Sequence, residues 1–165
     1  MGAFLGRDCS IEILVGKDTR AKVNGVIPKP VSPDDDYVLL GGTKGLEKNG
    51  SWDTTDVTNR SSEGNVRETL VTYLSVDGST DGVYLPETSY NIVATETYFY
   101  APTSGQPYAW IKVTRPGPTA GATVTEEMYV LLTEFSFSAP DDDKATFTMS
   151  WTGQQAPIVT AVAAP

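Results

Sequence analysis

The clearest pattern in the chain is strict alternation near its C-terminal end. In Lys144–Thr152, Ala145, Phe147, Met149 and Trp151 fall on one side, while Thr146, Thr148, Ser150 and Thr152 fall on the other. A period of two over this length predicts a half-buried β-strand with one wet face. The segment before it, Glu127–Ser138, ends in the same way. Phe135 and Phe137 point one way, and Glu134, Ser136 and Ser138 the other. The turn Ala139-Pro140-Asp141-Asp142-Asp143 separates the two runs, so the pair reads as a long antiparallel hairpin.

Val66–Val76 predicts a third strand, with Val66, Leu70, Leu74 and Val76 sharing a face, and Asp77-Gly78 as the turn that ends it. Tyr108–Thr114 predicts a fourth, closed by Arg115-Pro116-Gly117-Pro118. Shorter strands are expected at Ile11–Val15, Thr19–Val23, Val38–Leu40 and Trp52–Thr58. A helix of about ten residues is expected after Leu85. Pro86 suits its first position, Glu87 suits its positive end, and Tyr90, Val93, Ala94 and Thr97 recur at helical spacing. This helix is expected to pass into a strand near Tyr98–Tyr100.

Gly41–Ser51 and Asn59–Asn65 are rich in Gly, Ser, Asn and charge, and read as long loops around Trp52–Thr58. Gly153–Pro165 is small, uncharged and rich in Pro and Ala, and reads as an extended arm. The division expected is one domain over residues 1–165, with arms at 1–10 and 153–165 and a long assembly loop at 41–65. The fold class is mainly β, with a minor α component: a β-sandwich or small barrel with one flanking helix and long hairpins.

Composition narrows the chemistry. Lys and Arg total 12 against 21 Asp and Glu, a formal charge of −9, which disfavours phosphate-gripping nucleic-acid binders. With no histidine and one cysteine, Cys9, there is no Ser-His-Asp triad, Cys-His pair, Cys/His zinc site or internal disulfide. Cys9 reads as a small buried residue near a strand start. The runs Asp34-Asp35-Asp36 and Asp141-Asp142-Asp143 follow a proline and lack the alternation of a calcium loop, so they read as solvated turns. No phosphate loop occurs, and no window approaches the roughly 20 apolar residues of a membrane span. Met1–Cys9 lacks the apolar run of a secretory signal. The Asn49 and Asn59 sequons are chance matches on this reading. The expectation is a non-enzymatic protein with no cofactor and no metal, made in the cytoplasm.

An ordered set of motifs gives a more specific lead. Gly41-Gly42-Thr43-Lys44 is followed by the run Trp52–Gly64 and by Arg67-Glu68-Thr69-Leu70. A Ser/Phe-alternating strand, a Pro-Asp-Asp turn, a Thr/Ser-alternating strand and Gly153 close the chain. This set resembles the major tail (tail tube) proteins of long-tailed bacteriophages, over about residues 38–76 and 126–157. The resemblance implies hexameric rings whose hairpins join into an inner β-barrel, with rings stacking into a tube in the virion tail. It implies partnership with further copies of the chain, the tape-measure protein and other tail proteins. DNA would pass through during ejection without specific binding, and no membrane would be involved.

The residues themselves fit such a role. The three longest predicted strands exceed the usual five or six residues and would leave open edges that copies can pair. Glu134, Ser136, Thr146, Thr148 and Ser150 are the candidates to line a lumen, because a conduit must repel phosphate rather than hold it. Lys44, Glu47, Lys48, Asp53, Asp56, Arg60 and Glu63 are the candidates for ring-on-ring contacts. Alternative readings are a carbohydrate- or receptor-binding β-sandwich of a phage fibre or adhesin, and a tail terminator or head–tail joining ring protein.

Overall fold

The alternating segments become strands wherever one set of side chains can be removed from water, as the computed structural model shows for residues 9–16, 22–58, 67–87, 90–103 and 105–164. The elements in chain order are β1 (Ser10–Val15), β2 (Val38–Leu39), β3 (Thr43–Asp56), β4 (Thr69–Val83), α1 (Ile92–Tyr100), β5 (Tyr108–Pro116), β6 (Thr123–Ser138), β7 (Thr146–Gly153) and β8 (Ile158–Val162). They form one eight-stranded sheet in the order β2-β1-β5-β6-β7-β4-β3, with β8 also paired to β6. Every pairing is antiparallel.

The long strand β6 organises the sheet. Its first half lies between β5 and β8, and its second half pairs with β7. A register shift between Leu132 and Glu134 separates the halves. The extra residue, Thr133, reverses the parity of the strand. Met128, Val130 and Leu132 before the shift therefore share the core with Phe135 after it. The sheet wraps round this core, which joins Ile11 and Ile13 of β1, Ile111 and Val113 of β5, Val76 of β4, and Phe147, Met149 and Trp151 of β7. Burying each large side chain here contributes about 1.5–3 kcal/mol.

A smaller apolar cluster of Leu14, Ile27, Trp110 and Tyr129 sits apart from this core. Ile27 lies in the irregular segment between β1 and β2. It is held there by Gln155, whose Oε1 accepts the Ile27 N–H at 2.9 Å and whose Nε2 donates to the Ile27 carbonyl at 2.8 Å. This amide clasp satisfies backbone groups that no strand pairs.

The mainly β fold with a single helix among the described residues is as the sequence predicts, and so is the β6–β7 hairpin. Several local expectations are corrected. Gly41–Ser51 is not a loop, because β3 begins at Thr43 and runs for 14 residues. Gly42, at φ +76°, makes the turn into it, and its carbonyl accepts the Val83 N–H at 2.8 Å. Asp77-Gly78 does not end the third strand, since β4 continues to Val83 with β3 on one side and β7 on the other. Ladder bonds on both flanks outweigh a local turn preference.

The helix starts at Ile92 rather than at Pro86 and remains helical through Tyr100. It buries Ile92, Thr95 and Tyr98 instead of the predicted Tyr90, Val93, Ala94 and Thr97 face. Tyr98 decides that rotation, because its hydroxyl donates to the Tyr108 carbonyl at 2.6 Å while its ring enters the core. The C-terminal segment is not a free arm in this fold, since β8 pairs Ile158–Val162 with β6. The predicted strand at Thr19–Val23, the loop at Asn59–Asn65, Val66 and most of the N-terminal arm lie outside the described residues, although Val23 bridges Val26.

Candidate assembly surfaces

The second half of β6 and strands β7, β4 and β3 present one continuous polar face. Register places Glu134 beside Ser150, Ser150 beside Ser79, and Ser79 beside Glu47. The adjacent row is Ser136, Thr148, Asp81 and Gly45. Leu131, Thr152, Asp77 and Asn49 form a third row, and Ser138, Thr146 and Val83 a fourth. The five residues predicted for a lumen, Glu134, Ser136, Thr146, Thr148 and Ser150, therefore share this face. Ser136 Oγ also donates to Glu134 Oε1 at 2.9 Å.

Sequence reasoning missed Asp77, Ser79, Asp81 and Asn49, and it assigned Glu47 to a stacking loop. Their signal was present. Val76, Thr80 and Gly82 are buried while Asp77 and Asp81 between them are exposed, so the alternation continues past Asp77-Gly78. Apart from Leu131 and Val83, these rows contain Asp, Glu, Ser, Thr, Asn and Gly, and no Lys or Arg. Their field is repulsive to phosphate within about 8 Å at physiological salt. Among the described residues, no cluster of His, Cys, Asp and Glu is arranged to hold a metal ion.

The same four strands end in open edges. Among the described residues, β3 pairs with β4 alone. β5 leaves β6 after Leu131, with one further bond from the Leu132 N–H to the Pro107 carbonyl. Among the described residues, the flank of β6 from Thr133 to Ser138 that faces away from β7 thus carries no strand. Unpaired edges of this kind invite pairing with another chain.

The outer parts of β3 and β4 form an arm. Gly50–Asp56 and Thr69–Ser75 are exposed throughout. Bonds near its tip hold it as a ribbon: Val57 N–H to the Glu68 carbonyl at 2.9 Å, and Glu68 N–H to Thr58 Oγ1 at 2.9 Å. Asp56 Oδ1 accepts the Thr58 N–H at 2.9 Å, and hydrogen bonding from Thr58 holds this carboxyl below its ordinary pKa. The arm carries large apolar side chains despite its exposure. Trp52 is 54% exposed, Tyr73 74%, Leu70 57% and Val71 53%. Trp52 pairs with Leu74, which puts both on one side of the ribbon.

The predicted stacking residues are distributed unevenly. Asp53 and Asp56 lie on the arm, and Lys44 is exposed at its base. Glu47 lies on the polar face. Lys48 is engaged within the chain by Glu126. Arg60 and Glu63 lie outside the described residues. Cys9 is half-buried just before β1, and both triple-Asp runs are exposed outside the strands.

No protein-family model and no curated protein matches this sequence. Solved structures do match by fold. A chain in the tail of a gene transfer agent particle, solved with C6 symmetry, superimposes at a TM-score of 0.65 with 17% identity, covering 96% of this chain and 99% of that one. The SPP1 tail tube matches at 0.64 with 6% identity, covering 97% and 80%. A chain of the anti-feeding prophage baseplate matches at 0.56 with 9% identity, covering 98% and 97%. The family resemblance in the sequence motifs is thus matched by the backbone, and the chain has the fold found in the SPP1 tail tube and in the gene transfer agent tail.

Proposed function

We propose that this chain is the repeating subunit of a phage tail tube, a structural and non-catalytic component of the virion. Copies close into a ring when the open edge of β3 in one pairs with the open flank of β6 in the next. Each copy then contributes the second half of β6, β7, β4 and β3 to one barrel. The face bearing Glu134, Ser136, Thr146, Thr148, Ser150, Asp77 and Asp81 lines its bore. The arm carrying Trp52, Leu70 and Tyr73 reaches a neighbouring ring, where its exposed apolar surface is covered. The bore houses the tape-measure protein during assembly and conducts DNA afterwards.

One observation carries this reading: among the described residues, a single four-strand face has no Lys or Arg in its rows and is bounded on both sides by unpaired edges. An isolated domain gains nothing from that combination, because exposed edges are a liability. A closed ring satisfies both edges and turns the shared face inward. The six-fold symmetry of the gene transfer agent tail supports a hexameric ring.

Electron microscopy of the concentrated pure protein tests the proposal. Hollow tubes of indefinite length are expected. Monomers persisting at all concentrations would overturn it, and single closed rings would favour a terminator or joining protein, a reading that the baseplate chain's likeness keeps open. A glycan-binding role has less support, because Trp110 and Trp151 are buried and Trp52 stands on the arm.

A further inference from the structure

We propose that Glu126 is a positioning residue that aims the β3–β4 arm before any neighbour is met. The inference rests on the tube reading for its purpose, but not for its geometry. Glu126 projects from β6 and is only 2% exposed. Its two oxygens address two different elements. Oε1 accepts from Lys48 Nζ on β3, and Oε2 accepts from Arg115 Nη1 on β5 at 2.9 Å.

Lys48 sits at the root of the arm, opposite Gly78 in the β3–β4 register. From Gly50 outward, β3 is exposed. Lys48–Glu126 is the only ion pair between this hairpin and the rest of the chain among the described residues. At that level β4 is still paired with β7, Gly78 opposite Trp151, whereas among the described residues β3 has no second partner and the two strands stand alone from Gly50 outward. A two-stranded ribbon alone is marginally stable and free to twist.

A buried carboxylate must be paired, and charge-assisted bonds are directional. With Arg115 fixing one oxygen to β5, the other has one favourable direction, and Lys48 supplies it. The arm root is thereby referenced to the β5–β6 body. Lys48, expected from sequence to meet a neighbouring ring, instead serves inside its own subunit. A pre-aimed arm loses less conformational freedom on docking than a loose one.

The test uses the full-length monomer with spin labels at Thr55 on the arm and Asp142 in the β6–β7 turn. The unsubstituted protein is expected to give one narrow distance distribution. Lys48→Met and Glu126→Gln are each expected to lose that single narrow peak, whereas Lys48→Arg and Lys44→Met retain it. In assembly assays Lys48→Met should raise the concentration needed for tubes about tenfold, equivalent to about 1.4 kcal/mol. If Lys48→Met fails to fold, Glu126→Gln carries the same test. An unchanged distribution in the folded variants overturns the proposal. Failure of the unsubstituted protein to form tubes overturns the tube reading instead and leaves the monomer distances to decide the role of Glu126.

Discussion

Gly78 of β4 lies directly against the indole of Trp151 on β7. A Cβ built on Gly78 would come within 2.5 Å of Trp151 Cζ2 and 2.6 Å of Cε2. The two residues are register partners. Glycine here makes room for the largest side chain in the core, at the point where the arm leaves the body. Gly78→Ala is expected to destabilise the fold by about 1–3 kcal/mol, since overpacking shifts side chains or backbone. Gly50→Ala, whose Cβ would lie 4.0 Å from its nearest neighbour, should stay within about 0.5 kcal/mol. Urea unfolding of both variants checks the contrast.

The exposed aromatics of the arm should matter to assembly and not to folding. Trp52→Ser combined with Tyr73→Ser is expected to leave the unfolding midpoint nearly unchanged, because both side chains already face water. Tube formation should be lost, or require at least about tenfold more protein, because each exposed aromatic contributes about 1–3 kcal/mol when covered. Sedimentation of assembled protein measures this. Normal tubes from the double variant would remove the arm from the assembly interface.

The polar face makes an electrostatic prediction. Thr148→Lys with Ser150→Lys puts cations where the rows now carry none, at positions exposed enough to accept them. The variants are expected to fold and assemble but to retain DNA at low salt. Binding should weaken as salt rises, in proportion to the phosphates neutralised. Fluorescence anisotropy with labelled DNA is the readout. The unsubstituted protein should show no binding, and a silent double variant would place this face away from the bore.

Tyr84 gives the fold an alkaline limit. Its hydroxyl donates to Glu96 Oε2 at 2.8 Å, and its ring meets Phe137 edge-on at 4.8 Å between centroids. Burial first, and then the bond to Glu96 and its negative charge, raise the phenol above its ordinary pKa of 10.0. The fold thus favours the protonated phenol. This contribution is full below pH 10 and is lost as pH rises through the folded value, since the unfolded state releases its proton first. Tyr84→Phe should lower stability near neutrality and flatten its fall above pH 10. Chemical denaturation at a series of alkaline pH values tests the sign; an unaltered slope would contradict it.

The sequence by itself determined the β6–β7 hairpin and its two faces. Phe147, Met149 and Trp151 have no low-energy place but a core, and the Thr and Ser residues between them have no need of one. It also determined what chemistry is missing, because no arrangement of this chain yields an imidazole. The tertiary structure decided the rest. Thr133 reverses the parity of β6, and only pairing with β7 reveals that shift. Asp77-Gly78 reads as a turn in isolation, yet ladder bonds from two neighbours carry β4 through it. β3 shows no apolar period because most of it stands in water, so its strand character comes from its partner. The polar face of four strands is likewise a property of register: residues about 30 to 75 positions apart become neighbours only when β4 slides between β3 and β7, each strand adding about 4.8 Å.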